Sequence, residues 1–211
     1  MPIIKHIQED KFQIGIWKIT ESEDEFLTSL SAYPDICEQV NRFKSNTRKI
    51  EFLSVRRLIL EILGYIPVIN YTESGKPYIE NNTLYISISH TQGAYAAVLL
   101  STEPFIGIDI EVPSERVTRV ENKFLSDDEK SLTLGKVRTE TLMIFWSAKE
   151  TLFKAIDTNE IDFKKHLKIK NFTHSKIGEI EAEFCKEKDF WKGSIHYISN
   201  DHYILTWIHR T

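Results

Sequence analysis

The chain has 211 residues, 41% hydrophobic and 27% charged, enough apolar matter for one large domain or two small lobes. Its formal net charge of -4 excludes a generic nucleic-acid binder, so an anionic ligand needs a locally basic pocket. The 2 cysteines, Cys37 and Cys185, lie far apart, which excludes a disulfide scaffold and suits a reducing compartment.

The opening Met1-Pro2-Ile3-Ile4-Lys5-His6 lacks a long apolar run after a basic start, so no signal peptide is expected. No later stretch approaches the ~20 apolar residues that span a bilayer. The expectation is a soluble, cytoplasmic protein. Phe12 to Ile19 alternates as a strand does. Ser22-Glu23-Asp24-Glu25 is a capping-box pattern and starts a short helix to about Leu30. Tyr33-Pro34-Asp35 breaks it. Asp35 is the expected cap of a helical region that runs towards Leu63 and stops at Gly64. Ser45-Asn46-Thr47 is a point of interruption. This region is rich in cations: Arg42, Lys44, Arg48, Lys49, Arg56 and Arg57. Arg42, Lys49 and Arg56 are 7 residues apart and would line one stripe of a continuous helix. Such a stripe is a solvated face or a phosphate site, since arginine forks match phosphate oxygens. Glu73-Ser74-Gly75-Lys76-Pro77 reads as a tight turn with Lys76 at its tip, and lacks the spacing of a Walker loop.

Leu84 to His90 reads as a strand ending on Ser89-His90. Thr91-Gln92-Gly93 turns the chain into a second strand, Ala94 to Leu100. His90 is a phosphate donor, a base or a structural histidine; the other histidines form no metal-ligating motif. Gly107-Ile108-Asp109-Ile110-Glu111, closed by Pro113, is the next strand. Alternate side chains share a face, so Asp109 and Glu111 stand together, opposite Ile108 and Ile110. Neighbouring carboxylates repel unless a cation sits between them. Hard oxygen donors of this kind suit Mg²⁺, which leaves room for waters and substrate phosphates. The alternative is an exposed strand with an acidic face. Gly107, without a side chain, leaves room for a bulky ligand to approach the backbone.

Phe124-Leu125 is a partner contact or core. Ser126 and Glu129 form a second capping box. Thr139 to Ile156 is the second strong helix, on which Trp146, Glu150 and Lys154 are 4 residues apart along one face. Glu150 with Lys154 is either a surface ion pair or a third metal carboxylate followed by a phosphate-binding lysine. The tail carries strand-like runs around Ile180–Phe184, Gly193–Ile198 and His202–Trp207, an antiparallel sheet. Each half thus runs helix, then strands, a layout that fits a weak internal duplication.

Five stretches in this order resemble the 4'-phosphopantetheinyl transferase superfamily, in its two-lobed, single-chain (Sfp-type) branch. They are Arg48 to Arg56, Gly75-Lys76-Pro77, Ser87-Ile88-Ser89-His90, Gly107 to Glu111, and Trp146-Ser147-Ala148-Lys149-Glu150-Thr151-Leu152-Phe153-Lys154. The resemblance implies an α+β fold: a pseudo-twofold pair of similar lobes, each a helix packed on a mainly antiparallel sheet. It places the coenzyme A phosphate-binding residues in an N-terminal lobe, 1–102, and the metal carboxylates in a C-terminal lobe, 103–211. The implied activity moves the phosphopantetheine arm of coenzyme A to a serine of an apo acyl or peptidyl carrier protein, releasing 3',5'-ADP. Asp109, Glu111 and Glu150 are implied ligands of Mg²⁺, with Mn²⁺ as the alternative ion. Arg48, Arg56, Lys76 and His90 are implied around the coenzyme's phosphates, with Ser89 helping to hold the nucleotide. Lys149 and Lys154 are implied on the pyrophosphate side. Glu150, Lys154 and Asp109 form the catalytic set, with Glu150 as candidate base. The carrier is expected to dock near residues 112–130 and the inter-lobe rim, and the enzyme to act as a cytoplasmic monomer without nucleic acid or membrane partners. Two other readings use the same residues: a Mg²⁺-dependent nucleotide pyrophosphohydrolase, and a coenzyme A-binding module without catalysis.

Overall fold

The computed structural model describes residues 3–80, 83–91, 93–156, 158 and 160–209. Met1, Pro2 and Gln92, named in the sequence reading, lie outside the described residues. The chain divides into two compact units, Met1–Pro104 and Phe105–Thr211.

In the first unit, β1 (Ile3–Gln8) and β2 (Phe12–Lys18) precede three helices. These are α1 (Glu23–Ser29), α2 (Pro34–Val40) and α3 (Asn46–Leu63). A small hairpin, β3 (Ile69–Tyr71) with β4 (Pro77–Ile79), carries the turn around Lys76. Then come β5 (Tyr85–Thr91) and β6 (Tyr95–Ser101), giving an antiparallel sheet of order β1-β2-β6-β5. The 18-residue α3 packs on β2 and β6 and buries Leu53, Leu58 and Ile59 with Trp17, Ala96, Val98 and Leu100.

In the second unit, β7 (Ile106–Glu111) leads through a 3₁₀ turn (Glu115–Arg119), α4 (Glu121–Phe124) and α5 (Asp127–Leu132) to α6 (Arg138–Ala155). The strands β8 (Leu167–Ile169), β9 (Ile177–Lys186), β10 (Asp189–Ser199) and β11 (Ile204–His209) complete it. They form an antiparallel sheet of order β7-β11-β10-β9-β8. The 18-residue α6 packs on β7, β10 and β11 and buries Leu142, Phe145, Ala148 and Leu152 with Ile180, Ile195, Ile204 and Ile208. The fold is α+β, with each unit built as a long helix on an antiparallel sheet. Among the described residues no helix is long and apolar enough to cross a membrane.

Both capping boxes form as read. Ser22 N donates to Glu25 at 2.8 Å and Ser126 N to Glu129 at 2.7 Å, with the reciprocal bonds in place. Gly64 ends α3 with φ of 76°, a left-handed value that suits a residue without Cβ. Other local expectations change. Tyr33, not Asp35, is the N-cap of α2, because Pro34 takes the first helical position and Asp35 falls in the first turn. The cationic region is two helices, broken between Val40 and Asn46. Short polar residues there favour caps and turns over a helix interior. The basic stripe therefore does not exist as such. Arg42 lies outside α3, Lys49 pairs with Glu23 of α1 at 2.8 Å, and Arg56 is buried. Phe124 and Leu125 are both fully buried, which makes them core and not partner contacts.

Candidate active site

Strand β7 runs beside β11, with Asp109 opposite Thr206 and Glu111 opposite Ile204. Helix α6 lies across both strands. Its face with Trp146, Glu150 and Lys154 meets the acidic side of β7. Trp146 Nε1 donates to Glu111 Oε1 at 3.0 Å. Lys154 Nζ donates to Asp109 Oδ1 at 2.8 Å and to the Ile108 carbonyl at 3.0 Å. Glu150 stands between the two tethers on the helix. Among the described residues it makes no hydrogen bond and no ion pair within contact distance. Burial pushes its carboxyl up to about 7, helped by the charges of Asp109 and Glu111 and opposed by Lys154.

Asp109 is itself buried, and its other oxygen is fixed from beneath. Ser147 Oγ donates to Asp109 Oδ2 at 2.8 Å. Ser147 and Thr151 both meet the Thr206 hydroxyl, at 2.9 and 2.6 Å. The sequence reading assigns no role to Ser147, Thr151 or Thr206, whose hydroxyls form this cluster. The available signal was a Ser and a Thr one turn apart on the helix side that the core must claim.

Gly107 has a different role from the one expected. A Cβ added there would lie 2.1 Å from the Thr151 carbonyl oxygen. The close visitor at this glycine is the backbone of α6, not a ligand.

Lys149 also needs correction. Its side chain is fully buried and turned away from solvent, so it cannot meet a pyrophosphate. Its ammonium pairs with Glu129 at 2.7 Å and donates to the carbonyls of Phe124 and Phe163 at 2.6 and 3.1 Å. Glu129 also accepts from Ile169 N at 2.8 Å, besides closing its capping box. Burial pushes the lysine down to about 8, against the pull of Glu129. The pair ties α5, β8 and the Phe163 turn to α6. Lys149→Ala leaves Glu129 buried without its counter-ion and is expected to cost about 3–5 kcal/mol. Urea unfolding measures it; a loss below about 1 kcal/mol would refute the structural assignment.

Among the described residues no three His, Cys, Asp or Glu side chains already stand grouped as metal ligands. The donor set nevertheless fits a hard cation. Asp109, Glu111 and Glu150 are carboxylates whose mutual repulsion is only partly offset by Lys154.

In the first unit a pocket of about 430 Å³ is lined by Arg48, Arg56 and His90, together with Gly75 and Pro77 on either side of Lys76. Glu51, which was not singled out in the sequence, sits among them. Arg48 Nη1 lies 3.3 Å from Glu51 and 3.2 Å from His90 Nε2, and His90 Nδ1 lies 3.2 Å from Glu51. Arginine offers only donors, so this arrangement assigns the His90 proton to Nδ1. Ser89 stands on the other face of β5, buried, and does not line this pocket.

Residues 105–208 match the family model of the 4'-phosphopantetheinyl transferase superfamily. Comparison with curated proteins gives no match. The matched segment holds β7, α6 and β11, hence Asp109, Glu111, Glu150 and Lys154 with the hydroxyls that brace them. The segment that carries these residues, 105–208, belongs to the 4'-phosphopantetheinyl transferase superfamily.

Proposed function

We propose that the chain moves the 4'-phosphopantetheine arm of coenzyme A to a serine of an apo acyl or peptidyl carrier protein, releasing 3',5'-ADP, with Mg²⁺ or Mn²⁺ required. The observation that carries this reading is the meeting of β7 and α6. It confronts Asp109 and Glu111 with Glu150 and sets Lys154 beside them. In such a transfer the protein must neutralise phosphoryl oxygens and place the nucleophile, more than supply covalent chemistry. Asp109, Glu111 and Glu150 would hold the divalent ion, which when bound supplies charge neutralisation at the pyrophosphate. Lys154 spends two N–H donors on Asp109 and Ile108 and keeps one for a phosphate oxygen. Arg48, Arg56, Lys76 and His90 are the proposed partners of the coenzyme's phosphates. Glu150 is also the candidate acceptor of the serine proton. The same reading makes the protein a cytoplasmic monomer whose carrier docks near residues 112–130.

The test is an intact-mass assay with purified protein, Mg²⁺, coenzyme A and a panel of apo carrier proteins. A phosphopantetheine adduct on one carrier is the expected result. Release of 3',5'-ADP without any acceptor would favour a pyrophosphohydrolase instead. Binding of coenzyme A without turnover on any carrier would leave a binding module.

A further inference from the structure

The cations that share the first unit's pocket are not equally available to a ligand. Arg48 is 60% exposed and already pairs with Glu51, which His90 also meets. Arg56 differs in each respect. It is 4% exposed, and its guanidinium carbon stands over the Phe52 ring, 3.9 Å from the centroid. No carboxylate pairs with it among the described residues. Its side-chain acceptor is the Tyr71 hydroxyl, which both Nη1 and Nη2 reach at 3.3 Å.

A guanidinium has donors and no acceptor. Tyr71 Oη therefore accepts from Arg56, and its own proton must point away from the cation. A hydroxyl that accepts from a cation is polarised and becomes a better donor. Tyr71 is half exposed and lines the same pocket as Arg56, so that O–H addresses space a ligand can enter. The guanidinium carries five N–H donors, of which the tyrosine engages only those on the two Nη atoms. The Phe52 ring under the guanidinium and the Tyr71 hydroxyl at its Nη atoms hold these donors in place before any ligand arrives, which lowers the ordering cost of binding.

We propose that Tyr71 is a specificity-determining residue, whose hydroxyl and the Arg56 guanidinium form one donor set for a phosphate monoester. A monoester presents a terminal face of acceptor oxygens and up to two negative charges. A pyrophosphate linkage is substituted on both sides and has no such face. Resting on the coenzyme A reading above, the pair selects coenzyme A over dephospho-coenzyme A, which lacks the 3'-monoester. Arg48 and His90, already satisfied by Glu51, add less to that choice.

The experiment is calorimetric titration of the full chain with coenzyme A and with dephospho-coenzyme A. Wild type is expected to bind coenzyme A more tightly. Tyr71→Phe should weaken coenzyme A by about tenfold or more and leave dephospho-coenzyme A unchanged. Arg56→Lys keeps the charge but loses the fork, and should collapse the same ratio if Tyr71→Phe does not fold. Once Arg56→Ala is in place, adding Tyr71→Phe should cost little more, because the two donors act as a unit. A merely structural tyrosine would weaken both nucleotides equally, and that result overturns the proposal, as does an unchanged ratio in Tyr71→Phe. Wild type that binds neither nucleotide would overturn the coenzyme A reading and this assignment together; wild type that binds both equally would overturn the assignment alone.

Discussion

Glu150→Gln is expected to give a protein at least as stable as wild type that transfers phosphopantetheine about 10²–10³-fold more slowly, or not at all. Glu150 is held half-buried by α6 beside Asp109 and Glu111, without a hydrogen-bond donor of its own among the described residues. Its charge is therefore a cost to the free protein, of the kind active sites carry. The cost has a definite pH window. The native carboxyl titrates at about 7 and the ordinary one at 4.5. Between these values the native chain holds a proton that the unfolded chain has released, so stability falls as pH rises through the interval and levels off above it. Glutamine has no charge to bury, and its amide donates where the carboxylate only repelled. In metal-free buffer the variant should lack this decline, a difference on the order of 1–3 kcal/mol above neutrality. Mg²⁺ should raise the melting temperature of wild type at pH 8 and leave the variant unmoved. Near-wild-type turnover by Glu150→Gln would remove the three-carboxylate site. A variant less stable than wild type at pH 8 would show that the glutamate is structural.

What the sequence makes legible here is local and periodic. The strand with Asp109 and Glu111, the long helix with Trp146, Glu150 and Lys154, and both capping boxes follow from spacing alone. The four-residue spacing identified a shared helix face, and that face does meet the acidic strand. Partner choice was not legible. Lys149 and Lys154 sit in one short motif, yet Lys149 is a core cation on Glu129 and Lys154 lies beside Asp109. Only the rotation of α6 about its axis decides between them, and that is set by Leu142, Phe145, Ala148 and Leu152 filling the core. Arg56 likewise reads as one cation of a helical stripe, solvated or phosphate-binding. Its burial depends on Phe52 and Tyr71, the latter 15 residues away on β3. Long-range pairing of this kind, like the Thr206 hydroxyl beneath Asp109, leaves no mark in residue spacing.

The other large effect is expected at Gly107, which has no functional group at all. A methyl there would meet the Thr151 carbonyl oxygen at 2.1 Å and Ala155 N at 3.2 Å. Both are helix backbone atoms, so no side chain can swing aside. Gly107→Ala must push α6 off β7, and overpacking of this kind typically costs about 1–3 kcal/mol, more where backbone has to move. The displacement falls on the turn that carries Thr151 and Lys154 and follows Glu150. The bonds from Lys154 to Asp109 and from Thr151 to Thr206 would therefore lengthen together. Near-attack placement is sensitive to shifts of about 1 Å, so the fraction that still folds should transfer at least about 10²-fold more slowly. Thermal unfolding and single-turnover mass measurements at 15 °C read the two losses separately. Ala at 107 with wild-type stability would mean that helix and strand do not touch as the structure has them. Lowered stability with full turnover would mean that their spacing does not position the carboxylates.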